Sequence, residues 1–265
     1  MDDTHPPSDT SQEVGVAIGA KKPQKKVGVL FAGRGLVCVR GGRTVFVGLD
    51  FALEPGDALV LMGPNGSGKS SLLRIMAGLL KPAEGDLLWH GYAVEDDARS
   101  HYARQHYVGH LDGLKVAMTV SENLSFWTGL RMGAVPSASS VRNALSAFGL
   151  DCLADFPARI LSAGQKRRLS LARVLASPAD LWLLDEPTVA LDRDSVAALK
   201  QAIAHHQQHG GMVVIATHSE MALDRARPLH LDRFVPASEL AELQEDAATV
   251  LRKNGHKAGK KGRRP

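Results

Sequence analysis

The sequence predicts an α/β fold, a mostly parallel core sheet with flanking helices, and three stretches carry that expectation. The apolar run "DALVLM" feeds a glycine-rich turn, "GPNGSGKS", and then a segment apolar at Leu72, Leu73, Ile75, Met76, Leu79 and Leu80, which is a helical period. Further along, "LWLLD" and "MVVIATH" are continuous apolar runs, the pattern of parallel strands buried on both faces. The segment "DSVAALKQAIAHHQQ" between them reads as a helix, and a crossover of that length implies a parallel sheet with helices packed on it.

Taken in order, residues 1–33 are rich in Pro, Ser, Asp and Lys and read as a disordered leader, with structure expected from about "GLVCVR" and a domain over 34–236. The β-rich runs "TVFVGLDF" and "DALVLM" follow, bounded by glycine and proline, and "DLLW" and "YVGH" come after the first helix. Ser121 is the expected N-cap of the next helix, with Glu122 in its first turn, and "VRNALSAFGL" is an alanine-rich helix. Residues 237–265 are expected to form a C-terminal helix and a basic disordered tail.

The chain has 265 residues, 44% of them hydrophobic, enough for one large domain or two small ones with a real core. Its two cysteines, Cys38 and Cys152, lie far apart with no partner at metal-ligand spacing, which argues against a disulfide scaffold or zinc site and for a reducing compartment. No apolar run approaches the roughly 20 residues of a membrane-spanning helix, and the polar, acidic start is unlike a signal peptide, so a soluble chain is expected. The formal charge of +4 is a property of the tail: residues 252–265 carry seven Lys and Arg and no acid, and 1–26 sum to zero. The body, 27–251, holds 21 basic against 24 acidic residues, so no nucleic-acid-binding face is expected. The tail reads as a solubilising segment, with contact to anionic lipid or RNA as the alternative.

"GPNGSGKS", Gly63 to Ser70, fits G-x-x-x-x-G-K-[ST] between a strand and a helix. Its glycines let backbone N–H groups turn inward as an anion nest, and the helix N-terminus adds partial positive charge. Lys69 is expected on the β- and γ-phosphates and Ser70 on Mg²⁺. "LWLLDEP" ends a buried strand with two carboxylates, which are costly unless they face a cation or a solvent cleft. Asp185 fits the Mg²⁺-side partner of the loop, and Glu186 the group that polarises water; a capping or loop pair is the plain alternative. In "LSAGQKRRLSLAR" a Ser and a Gly precede a basic helix, offering a hydroxyl, free N–H groups and a helix N-terminus to a second phosphate contact.

With "ALDRDS" and "VVIATHS" downstream, these motifs over about residues 35–235 resemble those of ATP-binding-cassette (ABC) ATPases. The resemblance implies a P-loop fold of the ABC type, with an antiparallel β subdomain and a small helical subdomain at about 111–175. It implies ATP and Mg²⁺ as ligands, bound by Gly63, Pro64, Asn65, Gly66, Ser67, Gly68, Lys69, Ser70 and Ser71 with Asp185 as second metal-side group. It makes Glu186 the catalytic base and His218 the switch histidine at the γ-phosphate. Ser162, Gly164 and Gln165 of the signature segment, with Asp192 near the seam, would close the site of a second copy of the chain.

A single cassette with no long insertion between Lys69 and Ser162 looks like the motor subunit of a multi-chain transporter. "YVGHLDGLKVAMTVSENLSFW" together with "LSAGQKRRLSLARV" is similar to the haem-exporter ATPases of cytochrome c maturation. That likeness implies ATP hydrolysis coupled to transport, integral membrane partners of the CcmB and CcmC type, and a peripheral place at the cytoplasmic face of a bacterial inner membrane. The ATPase of another small-substrate exporter, or a non-transport cassette acting on RNA or ribosomes, are the alternatives. Two positions depart from the broader family. Arg40 stands where an aromatic residue usually stacks on adenine, and either stacks by its guanidinium plane or is a solvated strand-end arginine. His110 occupies the Q-loop position, where glutamine is usual; a water-bridged contact to Mg²⁺ or the γ-phosphate fits an imidazole better than direct Mg²⁺ ligation.

Overall fold

The computed structural model describes residues 28, 30–218 and 223–236, so the leader up to 27 and the expected C-terminal helix and tail at 237–265 lie outside the described residues. In chain order the strands and helices are β1 (Phe31–Arg40), β2 (Arg43–Leu53), β3 (Ala58–Met62), α1 (Lys69–Met76), β4 (Glu84–Trp89), β5 (Tyr92–Ala93), α2 (Ala98–Arg104) and β6 (Gln105–Val108). Then come α3 (Val120–Met132), α4 (Ala138–Ser146), α5 (Ala163–Ala176), β7 (Leu181–Asp185), α6 (Arg193–Gln208), β8 (Met212–Ala216) and β9 (Ala226–His230).

The core sheet has the order β6-β7-β8-β3-β9, and each neighbouring pair in it is parallel. Strand periodicity explains why "LWLLD" and "MVVIA" are apolar throughout. Leu181 and Leu183 of β7 and Met212, Val214 and Ala216 of β8 enter one core, while Trp182, Leu184, Val213 and Ile215 enter the other. The first core also takes α1 and the antiparallel sheet β2-β1-β4-β5; the second takes α3 to α6. Each fully buried leucine here, Leu183 for one, would cost about 2–5 kcal/mol on truncation to alanine.

The structure departs from the sequence reading at several boundaries. β1 begins at Phe31, ahead of the expected start at 34, because Phe31 is fully buried against Phe51 and Trp89. Thr119, rather than Ser121, caps α3: its hydroxyl accepts from the Glu122 N–H, and Glu122 Oε2 accepts from the Thr119 N–H at 2.8 Å. That reciprocal capping box satisfies two end donors, and Ser121, two positions past the cap and already inside the helix, cannot form it. β8 ends at Ala216, so His218 lies just beyond the strand. The edge strand β9 and the short helix α2 carry too little periodic signal to read from sequence; β9 is held to β3 partly by Arg225 and Arg227, both paired with the buried Asp57.

Candidate active site

The phosphate loop leaves β3 at Met62 and enters α1 at Lys69, with Gly68 as N-cap in a left-handed conformation, φ 96°. Only glycine fits there: a Cβ on Gly68 would come within 2.5 Å of Val45 Cγ1 in β2. The β1–β2 hairpin therefore lies directly over the loop. A cavity of about 360 Å³ opens at this point, lined by Asn65, Gly66, Gly68, Lys69, Ser70 and Ser71, by Arg40 and Val45 from the hairpin, and by Glu186 and His218.

Lys69 is the charge at the centre of this cavity, 8% exposed, and its ammonium donates to the carbonyls of Gly63 at 2.7 Å and Pro64 at 3.0 Å. Burial pulls its pKa down, and the carboxylates of Glu186 and Asp185 oppose that shift. The Ser70 hydroxyl donates to Asp185 Oδ1 at 3.1 Å, and the Ser67 hydroxyl is buried without a partner among the described residues. Two hard oxygens side by side suit Mg²⁺, and a buried cation with an unused hydroxyl suits phosphate oxygens, so the loop fits both expected ligands.

Asp185 ends β7, and Glu186 follows in a left-handed conformation, φ 45°, rare for a residue with a side chain. Its N–H donates to the Ala216 carbonyl at 2.8 Å. Glu186 Oε1 lies 3.4 Å from His218 Nε2, and the His218 N–H donates to Glu186 Oε2 at 3.4 Å. Strand order explains the pairing, since β7 and β8 are neighbours and both run toward the loop.

Ser162, Gly164, Gln165 and Asp192 do not line this cavity. Ser162 caps α5 in a reciprocal box with Gln165, the Gln165 N–H reaching Ser162 Oγ at 3.2 Å and Gln165 Oε1 accepting from the Ser162 N–H at 2.8 Å. Gly164 packs on the turn before α6, where an added Cβ would lie 2.7 Å from the Ala190 carbonyl. Asp192 caps α6 by accepting from the Ser195 N–H at 2.8 Å, and its hydrogen bonds to Ser195 hold its carboxyl below the usual range. His110 also stands outside: it is exposed, lines no part of the cavity and makes no hydrogen bond among the described residues. In the turn after β6 it is the Gly109 carbonyl that is turned inward, accepting from the buried Arg167, while the His110 side chain stays exposed.

Arg167 was missed in the sequence because it hides in a run of basic residues. Its signal is position, since it falls on the buried stripe of α5 with Leu171 and Val174, where an apolar residue is the rule. It donates to the carbonyls of Gly109, Asp185 and Glu186.

The family model described as ABC transporter matches residues 46–189. Over 211 residues the chain is 55% identical to the cytochrome c biogenesis ATP-binding export protein CcmA of Paramagnetospirillum magneticum, covering 79% of this chain and 97% of that protein. It is also 55% identical over 207 residues to CcmA of Rhodospirillum rubrum, covering 78% of this chain and 88% of that one. The solved structure of cbiO1 from Clostridium perfringens, part of the ABC transporter complex cbiONQ, is similar with a TM-score of 0.60 at 27% identity, over 72% of this chain and 79% of that one.

Proposed function

This chain belongs to the ABC transporter family as an ATP-hydrolysing subunit closely related to CcmA, and we propose that it is the motor of a haem exporter serving cytochrome c biogenesis. The observation that carries the motor reading is the convergence of Lys69, Ser70, Glu186 and His218 on one cavity, with Asp185 hydrogen-bonded to Ser70 behind it. The export pathway rests on the likeness to the cytochrome c biogenesis proteins.

In this reading Lys69 exchanges its loop carbonyls for the β- and γ-phosphate oxygens of ATP, at little cost because the ammonium is already desolvated. Ser70 and Asp185 hold Mg²⁺, which when bound neutralises charge on the phosphates. Glu186 accepts the proton of the attacking water, and His218 orients that carboxylate and senses the γ-phosphate. The position of Ser162, Gly164, Gln165 and Asp192 outside the chain's own cavity supports their use on the cavity of a second copy.

No helix among the described residues is long and apolar enough to cross a membrane, in keeping with membrane association through partners. A groove of about 550 Å³ between β6 and α3, lined by Leu79, Tyr102, Trp127, Leu130 and Arg131 among others, supports docking of a cytoplasmic helix from CcmB- or CcmC-like subunits at the inner face of a bacterial inner membrane. Residues 31–236 form the ATPase domain in this reading, with a leader before it and a basic tail at 237–265. A detergent pull-down with the tagged full chain tests it: small membrane proteins of cytochrome c assembly are expected, with ATPase activity in the complex. Recovery of unrelated permease subunits would reassign the exporter, and salt-sensitive RNA capture lost on deleting 252–265 would favour a non-transport role.

A further inference from the structure

Arg167 places a guanidinium, 5% exposed, on the buried face of α5. A buried charge is costly unless it is paired and its donors are used. Here the fork's two terminal nitrogens are spent on two segments far apart in the chain, the 109–112 turn and the end of β7, while Nε is buried without a partner among the described residues. Nη1 donates to the Gly109 carbonyl at 2.7 Å and faces Asp112 Oδ1 at 3.4 Å; Nη2 donates to the carbonyls of Asp185 at 2.6 Å and Glu186 at 2.9 Å.

Glu186 gives those bonds their meaning. A residue with a Cβ held at positive φ persists only where its surroundings hold it there. The Glu186 N–H is tied to Ala216 in β8, and its carbonyl accepts from Arg167 at 2.9 Å and from the Val189 N–H at 3.3 Å. One of these ties belongs to the sheet, one to the turn that follows, and one to a side chain that also grips the turn at 109–112. That turn carries the exposed His110 and Leu111, the latter 83% exposed, so it is free to be pushed from outside.

We propose that Arg167 is a positioning residue for ATP hydrolysis: its fork holds Glu186 in working geometry and links it to the 109–112 turn. Displacement of the turn then changes the hydrolytic rate without changing nucleotide binding. The inference rests on the reading of Glu186 as the group that activates water. A lysine cannot substitute, because one ammonium on a flexible stem lacks the planar fork that reaches carbonyls on both sides.

The test uses the full chain and its Arg167→Lys, Arg167→Gln, Asp112→Asn and Glu186→Gln variants, with steady-state ATPase rates, affinity for a fluorescent ATP analogue with Mg²⁺, and thermal melts. Both Arg167 variants are expected to lose about tenfold or more in kcat with KM and analogue affinity held within about twofold. Asp112→Asn keeps the carbonyl bonds and is expected to lose only about two- to fivefold. In single turnovers Arg167→Lys adds nothing in the Glu186→Gln background, because it acts through Glu186. Near-normal kcat in both Arg167 variants, a matching loss of analogue affinity, or additive losses in the double variant would each overturn the proposal. If Arg167→Gln fails to fold, Arg167→Lys and Asp112→Asn decide it. Full turnover in Glu186→Gln would remove the Glu186 reading and this inference together, whereas an inactive Glu186→Gln beside active Arg167 variants would remove this inference alone.

Discussion

The Ser70 hydroxyl donates to Asp185 Oδ1 at 3.1 Å, joining the phosphate loop to the end of β7 across 115 residues of chain. Both groups are hard oxygens, so the pair predicts a metal dependence. Ser70→Ala is expected to bind nucleotide in EDTA as the parent does, and to lose most of the gain in affinity and rate that Mg²⁺ confers. A Mg²⁺ titration of ATPase activity checks this, and an unchanged midpoint would remove Ser70 from the metal site.

Glu186→Gln keeps the shape and the contact to the His218 N–H but cannot take a proton. Removal of a positioned base costs roughly 10² to 10⁴ in rate, so ATP should stay bound and unhydrolysed. Near-normal turnover would reassign the role.

Gly164 predicts the dimer. An added methyl would sit 2.7 Å from the Ala190 carbonyl and push the signature turn off the start of α6. In the Glu186→Gln background, ATP-dependent dimers should form, and Gly164→Ala should abolish them while each monomer still binds ATP. Light scattering with and without ATP reads this directly. Ser162→Ala should also weaken the dimer, and should cost about 1 kcal/mol of stability through the lost cap.

Arg40 lines the cavity, and among the described residues no aromatic side chain does. If its guanidinium stacks on the base, Arg40→Ala should weaken ATP about tenfold, on the order of 1 kcal/mol, with Mg²⁺ dependence unchanged. Equal affinity in parent and variant, measured by nucleotide titration, would return Arg40 to a solvated strand end.

Two histidines predict acid sensitivity away from the cavity. Burial pushes His106 down to about 3, with Arg131 adding to it, and burial pushes His206 down to about 4. Each is neutral when folded and binds a proton at about pH 6.5 when unfolded, so the unfolded chain holds more protons between those values. Their stability is present above pH 6.5 and lost as pH falls, about 2 kcal/mol each by pH 5. His206 stacks on Trp182 at 3.9 Å with Nε2 buried and unpartnered among the described residues. His206→Phe should therefore keep the stack, hold stability at pH 7, and flatten the fall in melting temperature from pH 7 to 5. An unaltered pH profile would show that His206 does not titrate on unfolding.

The phosphate loop, the Asp-Glu strand end and the signature segment were legible because each is local: a strand end with its following turn in the first two, and a capped helix start in the third. β7 and β8 were legible because burial on both faces leaves an unbroken apolar run. Taking Ser121 as the cap leaves Thr119 outside the helix, because a capping box depends on which residue has the reciprocal bond and a serine is as good a cap candidate as a threonine by type. His110 was drawn toward the cavity by its place in the motif order, whereas side-chain direction in a turn depends on contacts from other segments.

The sequence by itself determined the class of chemistry, since phosphate binding needs glycines, a lysine and a helix start at set spacing, and these are covalent neighbours. It also determined the parallel sheet, through period and crossover length. Only the tertiary structure decided which distant groups meet: Ser70 with Asp185, Glu186 with His218, and Arg167 with the backbone of two segments. The physical reason is that a hydrogen bond reaches about 3 Å, and sheet order, which no local stretch encodes, sets which strand ends come that close.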